Sequence, residues 1–151
     1  MFELGTVDDV QMFFDCIDKY AMRQKGDARW NLITDRLYRR YLNIEDLPVA
    51  AELMSDIKSQ FEKISPTEAK LEKQFEDKSM LDLNQETLAQ VFGKFFDAFS
   101  SCKEGIELFF KRWNKYQPIR FVISDMPQLV NEKVRKLDQY DSLTGEPFWK
   151  R

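Results

Sequence analysis

A chain of 151 residues with 43% hydrophobic side chains and a net charge of -3 has the size and composition of one domain, able to bury about two thirds of the surface its unfolded form exposes. Five glycines and five prolines are too few for a turn-rich all-β fold, and no apolar run comes near the roughly 18 residues of a membrane span. Histidine is absent, which removes the commonest general base, the commonest metal ligand and the side chain that titrates near neutrality.

Met1-Phe2-Glu3-Leu4 lacks the basic and apolar regions of a signal peptide, so the expected location is the cytoplasm. Thr6 followed by Asp9 reads as a capping box opening a helix from about Val7 to Gln24. Val10, Phe13, Phe14, Ile17, Tyr20 and Ala21 form its apolar stripe. After Lys25-Gly26-Asp27, the spacing of Trp30, Ile33, Leu37 and Tyr41 predicts more helix, with a short strand over Trp30 to Ile33 as the alternative.

Asp46-Leu47-Pro48 reads as a cap with proline in the first turn, and Val49, Leu53, Ile57, Phe61 and Ile64 supply the stripe of a third helix. Ser65-Pro66-Thr67-Glu68 is a second start signal, opening a mostly polar helix to about Lys78 that Ala69, Leu71 and Phe75 anchor. Asn84 is the expected cap of a strongly apolar helix carrying Leu88, Val91, Phe92, Phe95, Phe96 and Phe99. Ser101 with Glu104, close to Gly105, predicts a break near residues 100 to 102 and a separate helix with Ile106, Phe109, Phe110 and Trp113.

Ile119 to Ile123 is the best strand candidate, expected to pair with Met1 to Leu4 or Met80 to Leu83. A last helix from Asp125 to about Tyr140 carries Leu129, Val130, Val134 and Leu137, and a turn-like tail ends in Phe148 and Trp149, either docked or displayed. The expected fold is therefore mainly α: a single-domain bundle of about six to seven helices, spanning 1-151, with at most a small two- or three-stranded sheet.

The chain contains no phosphate loop, GxGxxG, GxSxG or CxxC motif. Asp8 with Asp9, or Glu45 with Asp46, could serve as an acid and base pair, but acidic pairs at helix starts read first as dipole partners or caps. Cys16 and Cys102 lie in apolar-periodic stretches and read as buried free thiols. The phenylalanines from Phe92 to Phe110 read as core rather than as a ligand pocket. No catalytic residue, metal site, cofactor or small-molecule substrate is expected, and the protein reads as no enzyme.

Two basic clusters, Arg36-Leu37-Tyr38-Arg39-Arg40 and Lys111-Arg112-Trp113-Asn114-Lys115, have an aromatic interleaved and could grip phosphates, although the net negative chain argues against a nucleic-acid partner. The acidic residues are more concentrated. From Tyr41 to Glu86 there are eleven Asp and Glu against five Lys, a local net of -6. Glu68, Glu72 and Glu76 would form one column on a helix, as would Glu52 and Asp56. Like charges at that spacing cost an isolated helix about 0.2–0.5 kcal/mol per pair, so folding alone does not call for them. One reading is a solvated face relieved by Lys70 and Lys73; the other is a surface for a basic partner formed by Glu45, Asp46, Glu52, Asp56, Glu68, Glu72, Glu76 and Asp77.

The opening Met1-Phe2-Glu3-Leu4-Gly5-Thr6-Val7-Asp8-Asp9 before a Phe-rich helix, the size, and the acidic stretch from Glu45 to Glu86 resemble bacterial immunity proteins of the contact-dependent growth inhibition or colicin type. The resemblance implies a toxin-antitoxin role: a nuclease inhibitor that neutralises a basic toxin domain in the producing cell by occluding its active site. No binding residue transfers by position. The alternative is a nucleic-acid-associated regulatory protein using the clusters at 36-40 and 111-115.

Overall fold

The computed structural model describes residues 2–21, 27–37, 42–71, 80–115 and 119. These are mainly helical, and no sheet forms among them. Helix α1 spans Val7–Cys16 and opens as expected: the Asp9 amide donates to Thr6 Oγ1 at 3.2 Å and the Thr6 amide to Asp9 Oδ2 at 2.9 Å. It continues as a wider π-helical stretch over Ile17–Ala21, burying Val10, Phe13, Phe14, Ile17 and Ala21 with Tyr20 half-buried. The expected last turn, residues 22–24, lies outside the described residues.

Asp27 caps a 3-10 turn, Ala28–Trp30, which passes through Asn31 into a π-helical stretch, Leu32–Leu37. The helical reading of this stretch holds and the strand alternative is lost, because Trp30, Ile33 and Leu37 all turn inward at three- and four-residue spacing. Tyr41 lies outside the described residues.

Leu42 and Ile119, both buried, form an antiparallel bridge with N–H to O distances of 2.9 and 3.2 Å. The expected strand, Ile119 to Ile123 paired with residues 1–4 or 80–83, lies outside the described residues except at Ile119, whose bridge is to Leu42. Leu42 lies at a helix-free junction, where its buried amide and carbonyl need partners from another segment. Leu4 instead leads directly into the α1 cap, and the Met80 amide is taken by Asp9. Residues 120–123, the final helix and the tail are outside the described residues.

Helix α2 spans Leu47–Phe61, with proline in its first turn, and buries Leu47, Ala50, Leu53, Met54, Ile57 and Phe61. Asp46 is not its side-chain cap: the residue is itself helical and ends a 3-10 turn, Ile44–Asp46. The helix stops at Phe61, short of Ile64, whose carbonyl accepts the Leu88 amide at 2.8 Å.

The Ser65 start signal is real, since Ser65 Oγ accepts the Glu68 amide at 3.1 Å, but the helix it opens closes after one turn. Lys70 is left-handed with φ +57°; its amide donates to the Thr67 carbonyl at 3.1 Å and the Leu71 amide to the Pro66 carbonyl at 3.2 Å. These are the paired bonds of a Schellman termination, with fully buried Leu71 as its apolar anchor. The expected continuous helix through Lys70 is thereby overturned, and residues 72–78 lie outside the described residues.

Helix α3, Leu88–Val91, is capped by Thr87 and Gln90 rather than Asn84. Asn84 is held one turn earlier, where its amide donates to Asp82 Oδ1 at 3.0 Å. After a kink at Phe92, helix α4 runs unbroken over Gly93–Trp113. The break therefore comes before Gly93, and not near 100 to 102. In a helix interior Ser101 costs only tenths of a kcal/mol and Gly105 about 1 kcal/mol, whereas stopping there would end the stripe that buries Phe95, Phe96 and Phe99.

Phe13 of α1 is the centre of the core: its ring lies 4.5 Å from Phe95, 5.3 Å from Phe92, 5.4 Å from Phe14, 5.6 Å from Phe96 and 6.1 Å from Phe61, centroid to centroid. Each such ring removed from water contributes about 1.5–3 kcal/mol of gross stabilisation, and favourable ring geometry adds about 0.5–1.5 kcal/mol per pair. The expected phenylalanine core holds for Phe92, Phe95, Phe96 and Phe99, but Phe109 and Phe110 are exposed.

A candidate acidic docking surface

The inward stripe of α2 leaves Glu52 and Asp56 exposed on the opposite face, one turn apart. Between them and Asp27 stands Arg29. Its Nη2 lies 2.7 Å and its Nε 2.9 Å from Asp27 Oδ2, and its backbone amide donates to Asp27 Oδ1 at 3.0 Å. Nη1 points the other way and reaches Glu52 Oε1 at 3.8 Å.

The side-chain bond from Arg29 holds the Asp27 carboxyl below the ordinary carboxylate range. The Arg29 guanidinium is raised, first by that bond and further by the charges of Glu52 and Asp56. Arg29 thus bonds Asp27, reaches Glu52 and feels the charge of Asp56, so that among these four described residues one cation stands against three carboxylates.

The other expected site residues are distributed differently. Glu45 is exposed on its 3-10 turn. Asp46 is used by its own chain, accepting Arg36 Nη1 at 3.2 Å and the Asn43 amide at 3.0 Å on the same oxygen, Oδ2. This ion pair also occupies Arg36, the first cation of the anterior basic cluster; Arg39 and Arg40 lie outside the described residues. Glu68 is exposed, with Ser65 Oγ 3.4 Å from its Oε1. The left-handed Lys70 between Glu68 and Glu72 removes the expected helical column, and Glu72, Glu76 and Asp77 lie outside the described residues.

A further acidic face escaped the sequence reading. Asp8, Asp15 and Asp18 are exposed along α1 and its π-helical extension, at spacings of seven and three, with Gln11 Nε2 donating to Asp15 Oδ1 at 2.7 Å. A signal was present: no lysine or arginine occurs before Lys19. Asp8 and Asp9 do not converge as an acid and base pair, because Asp8 faces water while Asp9 is fully buried among backbone donors.

Both cysteines are free. Burial pushes the Cys16 thiol from 9.0 up to about 12, with Asp15 adding to the rise and Lys19 opposing it, and burial raises half-buried Cys102 as well. Neither has the lowered thiol pKa of an activated nucleophile. Among the described residues no group of three His, Cys, Asp or Glu could hold a metal ion, and no helix is long and apolar enough to cross a membrane. No family model, no curated protein and no solved structure matches the chain.

Proposed function

We propose that this chain is an immunity protein that binds a basic toxin domain, a nuclease in the simplest case, and blocks its active site. The observation that carries the reading is the α2 face, where Glu52 and Asp56 stand exposed beside Arg29, whose guanidinium is bonded to Asp27 and reaches Glu52, while Glu45 stands exposed nearby in sequence. Arginines and lysines that such a toxin uses to hold substrate phosphates would pair with these carboxylates, and the accumulated potential would speed encounter. The resemblance of the opening residues and of the acidic middle to immunity proteins of the contact-dependent inhibition or colicin type supports the same partner class. In this reading the chain is one cytoplasmic domain of six to seven helices and performs no catalysis.

The test is affinity capture on the tagged chain from its native cell at two salt concentrations. The wild-type chain should retain a basic protein at low salt, and a Glu52→Lys, Asp56→Lys variant with unchanged circular dichroism should lose it. Equal retention by both removes the α2 face from the function.

A second reading has its own observation: Lys111, Arg112, Trp113 and Lys115 are all exposed, with the Arg112 guanidinium 5.2 Å from the Trp113 ring centroid. A cationic, stackable surface of this kind suits a nucleic-acid-associated regulator. Filter binding to DNA and RNA at low salt decides it, and no retention dismisses it.

A further inference from the structure

The buried face of α4 ends well before the helix does. Its last buried side chain is Phe99, Cys102 and Ile106 are half-buried, and every residue from Leu108 to Lys115 is exposed. At 1.5 Å per residue, Trp113 lies about 21 Å beyond Phe99 along the axis. The exposed residues are of two kinds. Leu108 is 61%, Phe109 44%, Phe110 36% and Trp113 57% exposed. Interleaved with them are Lys111, Arg112 and Lys115, and residues 108–115 contain no carboxylate. The attraction of a helix C-terminus for cations accounts for Lys111 and Arg112. It does not account for four large apolar side chains at the surface within two turns.

We propose that the end of α4, residues 108–115, is an anchor for an anionic phospholipid surface. Helical rotation places Phe109, Phe110 and Trp113 within about 100° of arc and Leu108 about 150° from the middle of that arc. A partner helix laid along the aromatic side would leave Leu108 uncovered, and nucleic-acid bases would stack on the rings but gain nothing from Leu108. A lipid interface takes up apolar groups on every side of such a helix end, while the stems of lysine and arginine reach back to the phosphates. Charge selects the lipid. The chain as a whole is net -3, so only its local cations, three here with no opposing carboxylate, can draw it to a membrane, and they do so where the lipid headgroups are anionic. The anchor lies in the interface and does not span it, since among the described residues no helix is long and apolar enough to cross.

Cosedimentation of the full chain with vesicles of equal parts phosphatidylcholine and phosphatidylserine tests this. The wild type should bind them at low salt and leave vesicles of pure phosphatidylcholine unbound. Replacing Lys111, Arg112 and Lys115 by Gln should weaken binding by about fivefold per cation, or about a hundredfold together. Phe109→Ser and Trp113→Ser should each weaken it by about tenfold or more, with circular dichroism and the urea midpoint unchanged. Absence of binding, equal binding to both vesicle types, or binding that survives Phe109→Ser with Trp113→Ser overturns the proposal. So do three results that give the same residues another occupant. A lowered urea midpoint in the serine variants assigns the aromatic row to the chain's own core. A light-scattering mass of two chains that the same variants reduce to one assigns it to a second copy. Retention of DNA or RNA that the Gln variant loses, without vesicle binding, assigns the cations to nucleic acid.

Discussion

The Asp9 carboxylate receives the Met80 amide at 3.0 Å on Oδ2, the same oxygen that accepts the Thr6 amide, and so ties the start of α1 to a segment 71 positions away. The side chain is fully buried. A residue that sequence reading assigns to a local cap is also a long-range fastening.

Replacing Asp9 by alanine should therefore cost more than the roughly 1 kcal/mol of a lost helix cap, because two backbone donors in part-buried bonds, the Thr6 and Met80 amides, lose their shared acceptor. A destabilisation of about 3 kcal/mol is expected in urea unfolding. Gly5 makes the fastening possible: its φ is +146°, and a Cβ there would overlap Asp9 Oδ2. Gly5→Ala should destabilise by about 1–3 kcal/mol, and the double variant should lose less than the sum, since Asp9→Ala removes the atom that the new methyl group would strike. Strict additivity would show that the two residues do not meet.

Lys70 gives a test whose sign decides. At φ +57° a lysine bears the left-handed penalty of about 1–2 kcal/mol that glycine avoids. Lys70→Gly should raise stability by about 0.5–1 kcal/mol once the extra unfolded-state freedom of glycine is subtracted. In a continuous helix from Pro66 to Lys78 the same change would lower stability by about 1 kcal/mol. The shift in urea midpoint at constant slope separates the two.

What the sequence discloses and what it hides follow from how local each signal is. The Thr6 and Asp9 box, the α1 stripe and the Leu53, Ile57 and Phe61 part of the α2 stripe depend on neighbours within one or two turns, and they appear where expected. The stop at Lys70 depends on the burial of Leu71 by distant residues, and lysine carries no mark of a left-handed position. Asp46 had two outlets, the α2 amides and Arg36, and only the fold chooses between them. Of the expected docking residues, Glu45, Glu52, Asp56 and Glu68 are displayed. The α1 carboxylates were overlooked because spacings of seven and three look scattered in a linear sequence.

Cys16 should respond to alkali. Its thiol is held near 12 in the folded chain against 9.0 when exposed, so above pH 9 the unfolded chain releases a proton that the folded chain keeps. With fewer protons bound in the unfolded state, stability falls as pH rises through the interval from 9 to 12 and is fully present below it. The slope should approach, and not exceed, about 1.4 kcal/mol per pH unit from this group. A Cys16→Ala variant should lose that component in urea melts across the interval. A thiol reagent at pH 8 should modify half-buried Cys102 well before Cys16, and equal rates would contradict the burial.

Gly105 tests whether α4 is one helix. The residue lies in the interior of Gly93–Trp113, and a Cβ at this position meets nothing within 4 Å. Alanine there gains helix propensity without a steric cost, so Gly105→Ala should stabilise the protein by about 0.8–1 kcal/mol. A chain broken near residues 100 to 102 would place Gly105 in the first turn of a short separate helix, where end fraying reduces the gain to a few tenths of a kcal/mol. Ser101→Ala sharpens the comparison. As an interior residue of α4 it should be neutral or slightly stabilising, whereas loss of a true N-cap would cost about 1 kcal/mol. A destabilising Ser101→Ala together with a silent Gly105→Ala would restore the break that the Ser101 and Glu104 pattern suggests.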